Sequence, residues 1–268
     1  MSNDSARKAI IVVLLTAVLC STFVSAAVVV LRPIQLNNKL LDQGRNIVAL
    51  TGMLPAGETL DDDELLDLLK SLDARVVDID TGEFEGSLDP WTFDMRRAVG
   101  DPELGVDIPL DQNLANIGRR SRYAPVYLVW KENELDRVIL PVRGAGMWSM
   151  LYGYIAMNPD FTTIAGMSFY EQNETPGLGD QITHGHWLEQ WQGKQMYDDI
   201  GVPRFNVSEG AVQEGSVHAP FQVDGLTGAT VTGDAVTGLI HYWFGAHGYQ
   251  NFFNQLQDNP PVRGEEGS

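Results

Sequence analysis

Hydrophobic positions change their spacing three times along this chain. From Ala9 to Leu31 they are nearly continuous, 23 positions without a charge, 14 of them Leu, Ile, Val or Phe. Arg7-Lys8 and Arg32 flank the run. As a helix it spans about 34 Å at ~1.5 Å per residue, enough to cross a hydrocarbon core of roughly 30 Å. At roughly 0.4 kcal/mol per aliphatic side chain, insertion is favoured by several kcal/mol. A cleaved signal peptide, with Val24-Ser25-Ala26 as its processing site, is the competing reading. The apolar run continues through Val28-Val29-Val30-Leu31, which favours a retained anchor. Basic residues stand at both ends, Arg7 and Lys8 against Arg32, Lys39 and Arg45, so charge alone does not orient it.

Beyond Arg32-Pro33 the spacing becomes helical. Leu36, Leu40, Leu41, Ile47 and Leu50 predict an amphipathic helix over residues 34–50, broken near Pro55 and Gly57. A short helix follows over 60–72, with Leu65, Leu69 and Leu72 on one face. Its Asp61-Asp62-Asp63-Glu64 cluster lacks the alternating ligands and central glycine of a calcium loop. Acidic residues at a helix start complement its dipole instead. From Arg75 the pattern turns to strands, at 76–79, 124–130, 137–142, 151–157 and 162–170. Lys131-Glu132-Asn133-Glu134 reads as a hairpin tip. Helices are expected over 187–198, 235–245 and 249–256. Strands flanked by helices predict an α+β fold, a mainly antiparallel sheet preceded by one N-terminal transmembrane helix. The expected layout is an N-terminal segment 1–8, the span 9–31, a helical connector 32–73, a folded domain 74–256 and a flexible tail 257–268.

Charge and cysteine content narrow the chemistry. Eighteen Lys and Arg stand against 36 Asp and Glu, a net charge of −18. No basic stripe is available to neutralise nucleic-acid phosphates. The single cysteine, Cys20, lies in the apolar run, so neither a disulfide framework nor a protein-held iron–sulfur cluster is possible. Redox chemistry on this chain needs an organic cofactor. His184-Gly185-His186 is a pair at i, i+2 without a third metal ligand in sequence, and surface histidines are expected. Ser149 and Ser168 lack the turn glycines of a hydrolase nucleophile.

Three segments stand out. Asp224-Gly225-Leu226-Thr227-Gly228-Ala229-Thr230 puts a hydroxyl at the end of a run of small side chains, with glycines that permit tight turning. Taken alone, it reads as a turn. Gly144-Ala145-Gly146-Met147-Trp148-Ser149 is no dinucleotide fingerprint, having too few glycines and preceding a strand. Its glycines still allow close backbone approach beside an indole. Thr175-Pro176-Gly177-Leu178, within Glu174 to Gly179, fits a type II turn with Gly177 at positive φ, and its backbone N–H groups suit an anion or a carbonyl-rich ring.

With Leu31-Arg32-Pro33-Ile34-Gln35, residues 169–179 and Trp191-Gln192-Gly193-Lys194, these strings resemble the C-subunit family of the bacterial Na+-translocating NADH:quinone oxidoreductases over nearly the whole chain. The 224–230 string by itself is similar to FMN-binding domains generally, including the G-subunit of the Rnf electron-transport complex. The resemblance implies FMN esterified through its phosphate to Thr230, with Thr227, Gly228 and Ala229 at the phosphate end. Met147, Trp148, Glu174, Thr175, Leu178 and Gly179 are then expected around the ring. It further implies a flavin transferase for maturation, flavin-, iron–sulfur- and quinone-binding partner subunits, and a single pass through the bacterial inner membrane with the N-terminus, 1–8, cytoplasmic and the large FMN-binding domain, 74–256, on the periplasmic side. NADH and quinone belong to the complex, and no catalytic residue or metal is expected on this chain. Met147 stands where leucine is usual and Gly233 where the family often has a small hydroxyl residue. Residues 205–215 contain no lysine or arginine, although relatives tend to carry one there. The alternatives are the Rnf protein and a membrane-anchored, non-redox scaffold in which the threonine string is only a turn.

Overall fold

A computed structural model describes residues 3–54 and 60–264, with side chains except at 3–6 and 32–40. Pro55, Gly57 and the end of the tail therefore lie outside the described residues, as do the side chains of Leu36 and Leu40. Two compact units divide the chain, residues 1–44 and 45–268. The first is helical. Helix α1 runs Asn3–Thr51, and its stretch Arg7–Leu31 is long and apolar enough to cross a membrane, with none of it buried within the protein. Three of its hydroxyls bond back to the helix. Thr16 donates to the Val12 carbonyl at 2.8 Å, and Ser21 and Thr22 to the Val18 carbonyl at 3.0 and 2.8 Å, bonds that lower the cost of placing these three hydroxyls among apolar side chains.

In the second unit the last turn of α1 buries Ile47, Val48, Leu50 and Thr51. Arg137 Nη1 donates to the Leu50 carbonyl at 3.0 Å, and Gly52 follows at φ 68°. Helix α2, Asp62–Ser71, starts in a reciprocal capping box: Asp61 Oδ1 accepts the Glu64 N–H at 2.8 Å, and Glu64 Oε2 accepts the Asp61 N–H at 3.2 Å. The acidic cluster thus serves the helix end. Strand β1 is Asp73–Asp78, helix α3 Met95–Gly100, and β2, Gly105–Asp107, pairs with β3, Arg119–Ser121. Then come β4, Tyr123–Lys131, β5, Glu134–Ala145, β6, Met150–Met157, and β7, Ile164–Glu171. Strands β1 and β4–β7 form one antiparallel sheet in the order β1-β4-β5-β6-β7. This is the α+β architecture expected from the sequence.

The β4–β5 tip is a two-residue turn, Lys131 facing Glu134, with Glu132 and Asn133 at φ 50° and 72°. Both central residues at positive φ make the type I′ geometry that matches strand twist. One face of the sheet carries Val126, Leu128, Val138, Leu140, Val142 and Ile155 into the main core. There it meets α5, Thr230–Trp243, and α6, Gln250–Asp258. Trp243 Nε1 donates to the Arg143 carbonyl at 2.7 Å and the Tyr249 hydroxyl to the Pro141 carbonyl at 2.6 Å, pinning these helices to β5. Alternate residues point the other way, where Ser168 Oγ donates to Asn46 Oδ1 at 2.6 Å and Trp91 lies 5.5 Å from Tyr127.

The helix expected over 187–198 is much shorter. Helix α4, Gly185–Leu188, is followed by one 3-10 turn, Glu189–Trp191. Gly193 at φ 80° ends it, and the chain then runs along β7, with the Ile164 N–H donating to the Lys194 carbonyl at 2.8 Å. Buried Trp187 and Trp191 supply helical spacing for one turn only. Two short strands that the pattern does not reveal, β8, Asn206–Val207, and β9, Gln222–Val223, pair in parallel just before the 224–230 string. Helix α6 continues to Asp258, and Arg75 Nη2 donates to the Val262 carbonyl at 2.7 Å.

Candidate functional site

Asp224 anchors the threonine string, with all four of its polar atoms engaged. Its N–H donates to Gln190 Oε1 at 2.9 Å, and its carbonyl accepts from Trp187 Nε1 at 2.8 Å. Its carboxylate accepts from the Val212 N–H at 2.7 Å and from Gln190 Nε2 at 3.2 Å. Gly225 then passes so close to the Ser208 carbonyl that a side chain there would overlap it. Leu226 to Ala229 form a β-turn, the Ala229 N–H donating to the Leu226 carbonyl at 2.9 Å, with Gly228 at φ 75° in the third position. Leu226 and Ala229 are buried while Thr227, Gly228 and Thr230 are exposed. The turn therefore faces its hydroxyls outward.

Thr230 is the first residue of α5, five positions before the helix start that the hydrophobic spacing predicts. No side chain caps that end. The first N–H groups of a helix lack intrahelical acceptors and carry the positive end of its dipole, so they open toward any anion joined to the Thr230 oxygen. A hollow beside Thr230 is lined by Val207, Ser208, Glu209, Leu226, Gly233 and Asp234. It contains two carboxylates and no basic side chain. A phosphate there would be held by backbone N–H groups and not by a lysine or arginine.

Glu174 draws the three predicted segments together. It is 4% exposed. Its Oε1 accepts the Trp148 N–H at 3.1 Å and its Oε2 accepts the Thr232 hydroxyl at 2.5 Å. Gly146 and Gly179 make room for that carboxylate. A Cβ at Gly146 would lie 2.6 Å from Glu174 Oε1, and one at Gly179 2.7 Å from Thr232 Oγ1. The Leu178 N–H donates to the Thr175 carbonyl at 3.0 Å with Gly177 at φ 76°, the turn its sequence predicts. Trp148 Nε1 donates to Thr175 Oγ1 at 3.0 Å, and Leu178 Cδ2 lies against Gly228.

Outside this buried knot sit Trp148, 65% exposed, Met147, 51%, and Leu178, 40%. Large apolar side chains left open beside an uncapped helix N-terminus fit a planar ring with a phosphate tail. Of the residues expected around the ring, Trp148 and Leu178 are exposed toward solvent, while Glu174 and Gly179 are buried supports beneath. Thr232 was not expected in the site. It is buried, and its hydroxyl is what links α5 to Glu174. In sequence its only signal is a second hydroxyl two residues after Thr230. His184 and His186 are exposed, their rings 5.8 Å apart.

A family model described as an FMN-binding domain matches residues 146–245, an interval that takes in the 174–179 and 224–230 segments whole and the third from Gly146 onward. The chain is 40% identical over 257 residues to the Na(+)-translocating NADH-quinone reductase C-subunit of Pseudomonas aeruginosa, covering 96% of this chain and 98% of that one. To the protein of the same name from Yersinia pestis it is 35% identical over 258 residues, covering 96% and 95%. Among solved structures, Shewanella oneidensis NqrC superimposes with a TM-score of 0.75 at 35% identity, over 84% of this chain and all of that one. Likeness of this degree, running nearly end to end, shows that the chain belongs to the C-subunit (NqrC) family of the Na+-translocating NADH-quinone reductases.

Proposed function

We propose that this chain is the electron-carrying subunit of a membrane NADH:quinone oxidoreductase coupled to Na+ export, with FMN joined as a phosphoester to Thr230. The observation that carries the reading is an exposed Thr230 hydroxyl at the first position of an uncapped helix, next to an apolar platform tied to that helix through Glu174. When bound, FMN supplies reversible one- and two-electron chemistry that no side chain here provides. The residues of the chain hold and orient. The N-terminal N–H groups of α5 bind the phosphate, Trp148 and Leu178 pack on the ring, and Thr227 to Ala229 keep the tether short.

Threonine is a weak nucleophile at its free pKa, so a separate flavin transferase is required. In that step the Thr230 oxygen bonds to the flavin-side phosphorus of FAD, the pyrophosphate bond breaks, and AMP departs as the hydroxyl proton is lost. The names of the relatives support partner subunits handling NADH and quinone. The long apolar helix supports an inner-membrane anchor at 9–31; with residues 1–8 cytoplasmic, a connector at 32–73 and the flavin domain at 74–256, the side on which that domain lies, the periplasm, is carried by the family resemblance alone. The test is direct: co-express the chain with its transferase, denature it, and view the gel band under ultraviolet light. A fluorescent band that Thr230→Ala abolishes is expected. A dark band with active transferase, or a bright Thr230→Ala band, overturns the assignment.

A further inference from the structure

The two loops that frame the platform are joined across the sheet through one β6–β7 rung. The final β6–β7 pair is Tyr152 facing Glu171, and the register shifts between Tyr152 and Gly153. One way along the chain, Tyr152 leads to Ser149 and Trp148; the other way, Glu171 leads to Glu174 and Thr175. The 146–149 loop is also held by the β5–β6 ladder, which runs on to Ala145 facing Met150, and by the Gly146 N–H donating to the Ser149 carbonyl at 2.7 Å. A bulge disrupts the β6–β7 ladder locally and bends the strand, so backbone pairing alone aims the 172–179 loop weakly.

One side chain grips both members of that rung. Arg96 Nη1 and Nη2 donate to Glu171 Oε1 and Oε2 at 3.0 and 2.7 Å, and its guanidinium carbon lies 3.6 Å from the centre of the Tyr152 ring. The start of α3 is itself fixed, since Asp94 Oδ1 accepts the N–H groups of Arg96 and Arg97 at 2.9 and 3.3 Å. Beneath, Tyr170 stacks on Tyr154 with ring centres 5.0 Å apart, giving the clamp a rigid floor. The Arg96 and Glu171 side chains are 28% and 47% exposed, so the pair contributes little net stability. A two-pronged fork laid on an aromatic ring instead fixes direction, which lysine cannot reproduce.

We propose that Arg96 is a positioning residue for the flavin: held by Glu171 and laid on Tyr152, it sets the angle at which the loop 172–179 meets the hairpin tip 146–149, and so how Leu178 and Trp148 are presented to the ring. This rests on the reading that the flavin ring lies against those loops.

The test uses the full chain, flavin-loaded by its transferase and kept in non-ionic detergent, as Arg96→Leu, Arg96→Lys and, as a control, Arg97→Leu. Arg97 is an exposed neighbour, and its loss changes the net charge as Arg96→Leu does. Loading is read as gel fluorescence, ring geometry as the visible circular dichroism of the flavin, and energetics as its midpoint potential, with a thermal melt of each variant alongside. Both Arg96 variants are expected to load flavin, to weaken the circular dichroism and to shift the potential, while Arg97→Leu changes neither. Unchanged circular dichroism and potential in a loaded Arg96→Leu protein would overturn the clamp and leave the flavin assignment standing. Full recovery in Arg96→Lys would also overturn it, because charge alone would then suffice. If Arg96→Leu does not fold, Arg96→Lys and Glu171→Gln carry the same test. A dark band for the unaltered chain would instead overturn the flavin reading, and the clamp with it.

Discussion

At the scale of single residues, Glu174 decides whether the site exists as a unit. It joins Trp148, 26 positions before it, to Thr232, 58 positions after it. Replacing it by leucine strands the Thr232 hydroxyl in a buried place and the Trp148 N–H in a half-buried one, and an unsatisfied buried group costs about 1–3 kcal/mol. Glutamine behaves differently. Its oxygen can keep the Trp148 bond, and the Thr232 hydroxyl can rotate to accept from its amide nitrogen. Urea unfolding of the flavin-free chain is therefore expected to show Glu174→Leu weaker by several kcal/mol and Glu174→Gln by about 1 kcal/mol or less. Equal losses would mean that the charge, and not the two hydrogen bonds, is what Glu174 supplies. The 224–230 turn was legible because its string is specific as a string. The Glu174–Thr232 bond was not, because nothing local to either residue signals a partner so distant in sequence.

At the scale of elements, the strands were legible and the start of α5 was not. Alternation marks β4 to β7 because one face meets α5 and α6 and the other meets the end of α1 and Trp91. The first residues of α5, Thr230-Val231-Thr232-Gly233-Asp234, are poor helix formers, so periodicity places the start at Ala235. Tertiary contacts override that preference. Thr232 is bonded to Glu174, and the Thr237 hydroxyl accepts the Val207 N–H at 3.0 Å and donates to the Gly233 carbonyl at 3.1 Å. The same helix makes stability depend on pH. His241 Nε2 lies 2.9 Å from the Phe205 carbonyl. Burial pushes its pKa below the ordinary histidine value of 6.5, against the opposing pull of that carbonyl. The folded protein therefore takes up this proton at lower pH than the unfolded chain does, so its stability is complete above about pH 6.5 and falls as pH drops below it. Thermal melts between about pH 5 and 7 should show that slope, and it should flatten in His241→Gln, which keeps a donor for Phe205 but does not titrate. An unaltered slope in the variant would place the proton uptake elsewhere.

At the scale of the whole molecule, the long apolar helix and the acidity were both plain in the sequence, and acidity is the property whose consequence is least local. Four of the 18 basic and two of the 36 acidic residues lie in residues 1–44, so residues 45–268 carry 14 against 34. Most carboxylates in that unit have no lysine or arginine to face, and their mutual repulsion is present in the folded state at every position on the surface. Added salt acts on two opposed terms. It weakens exposed ion pairs such as Arg45–Asp62, whose side chains are 52% and 60% exposed, but each such pair is worth only about 0–1 kcal/mol. It also screens the repulsion among some twenty excess negative charges, and at about 0.15 M ionic strength the screening length is already near 8 Å. Less exposed pairs, Arg75–Asp73 among them at 10% and 17%, are screened least and oppose the trend least. The second effect should win. Raising the ionic strength of the detergent-solubilised chain from low salt toward about 0.5 M is expected to raise its melting temperature, by about 2–4 °C for each kcal/mol gained. Sodium, potassium and choline chlorides should act alike at equal ionic strength, because screening depends on ion concentration and charge only. A melting temperature that falls with salt would show that ion pairs dominate this surface, and a rise confined to sodium would replace screening by specific binding of that cation.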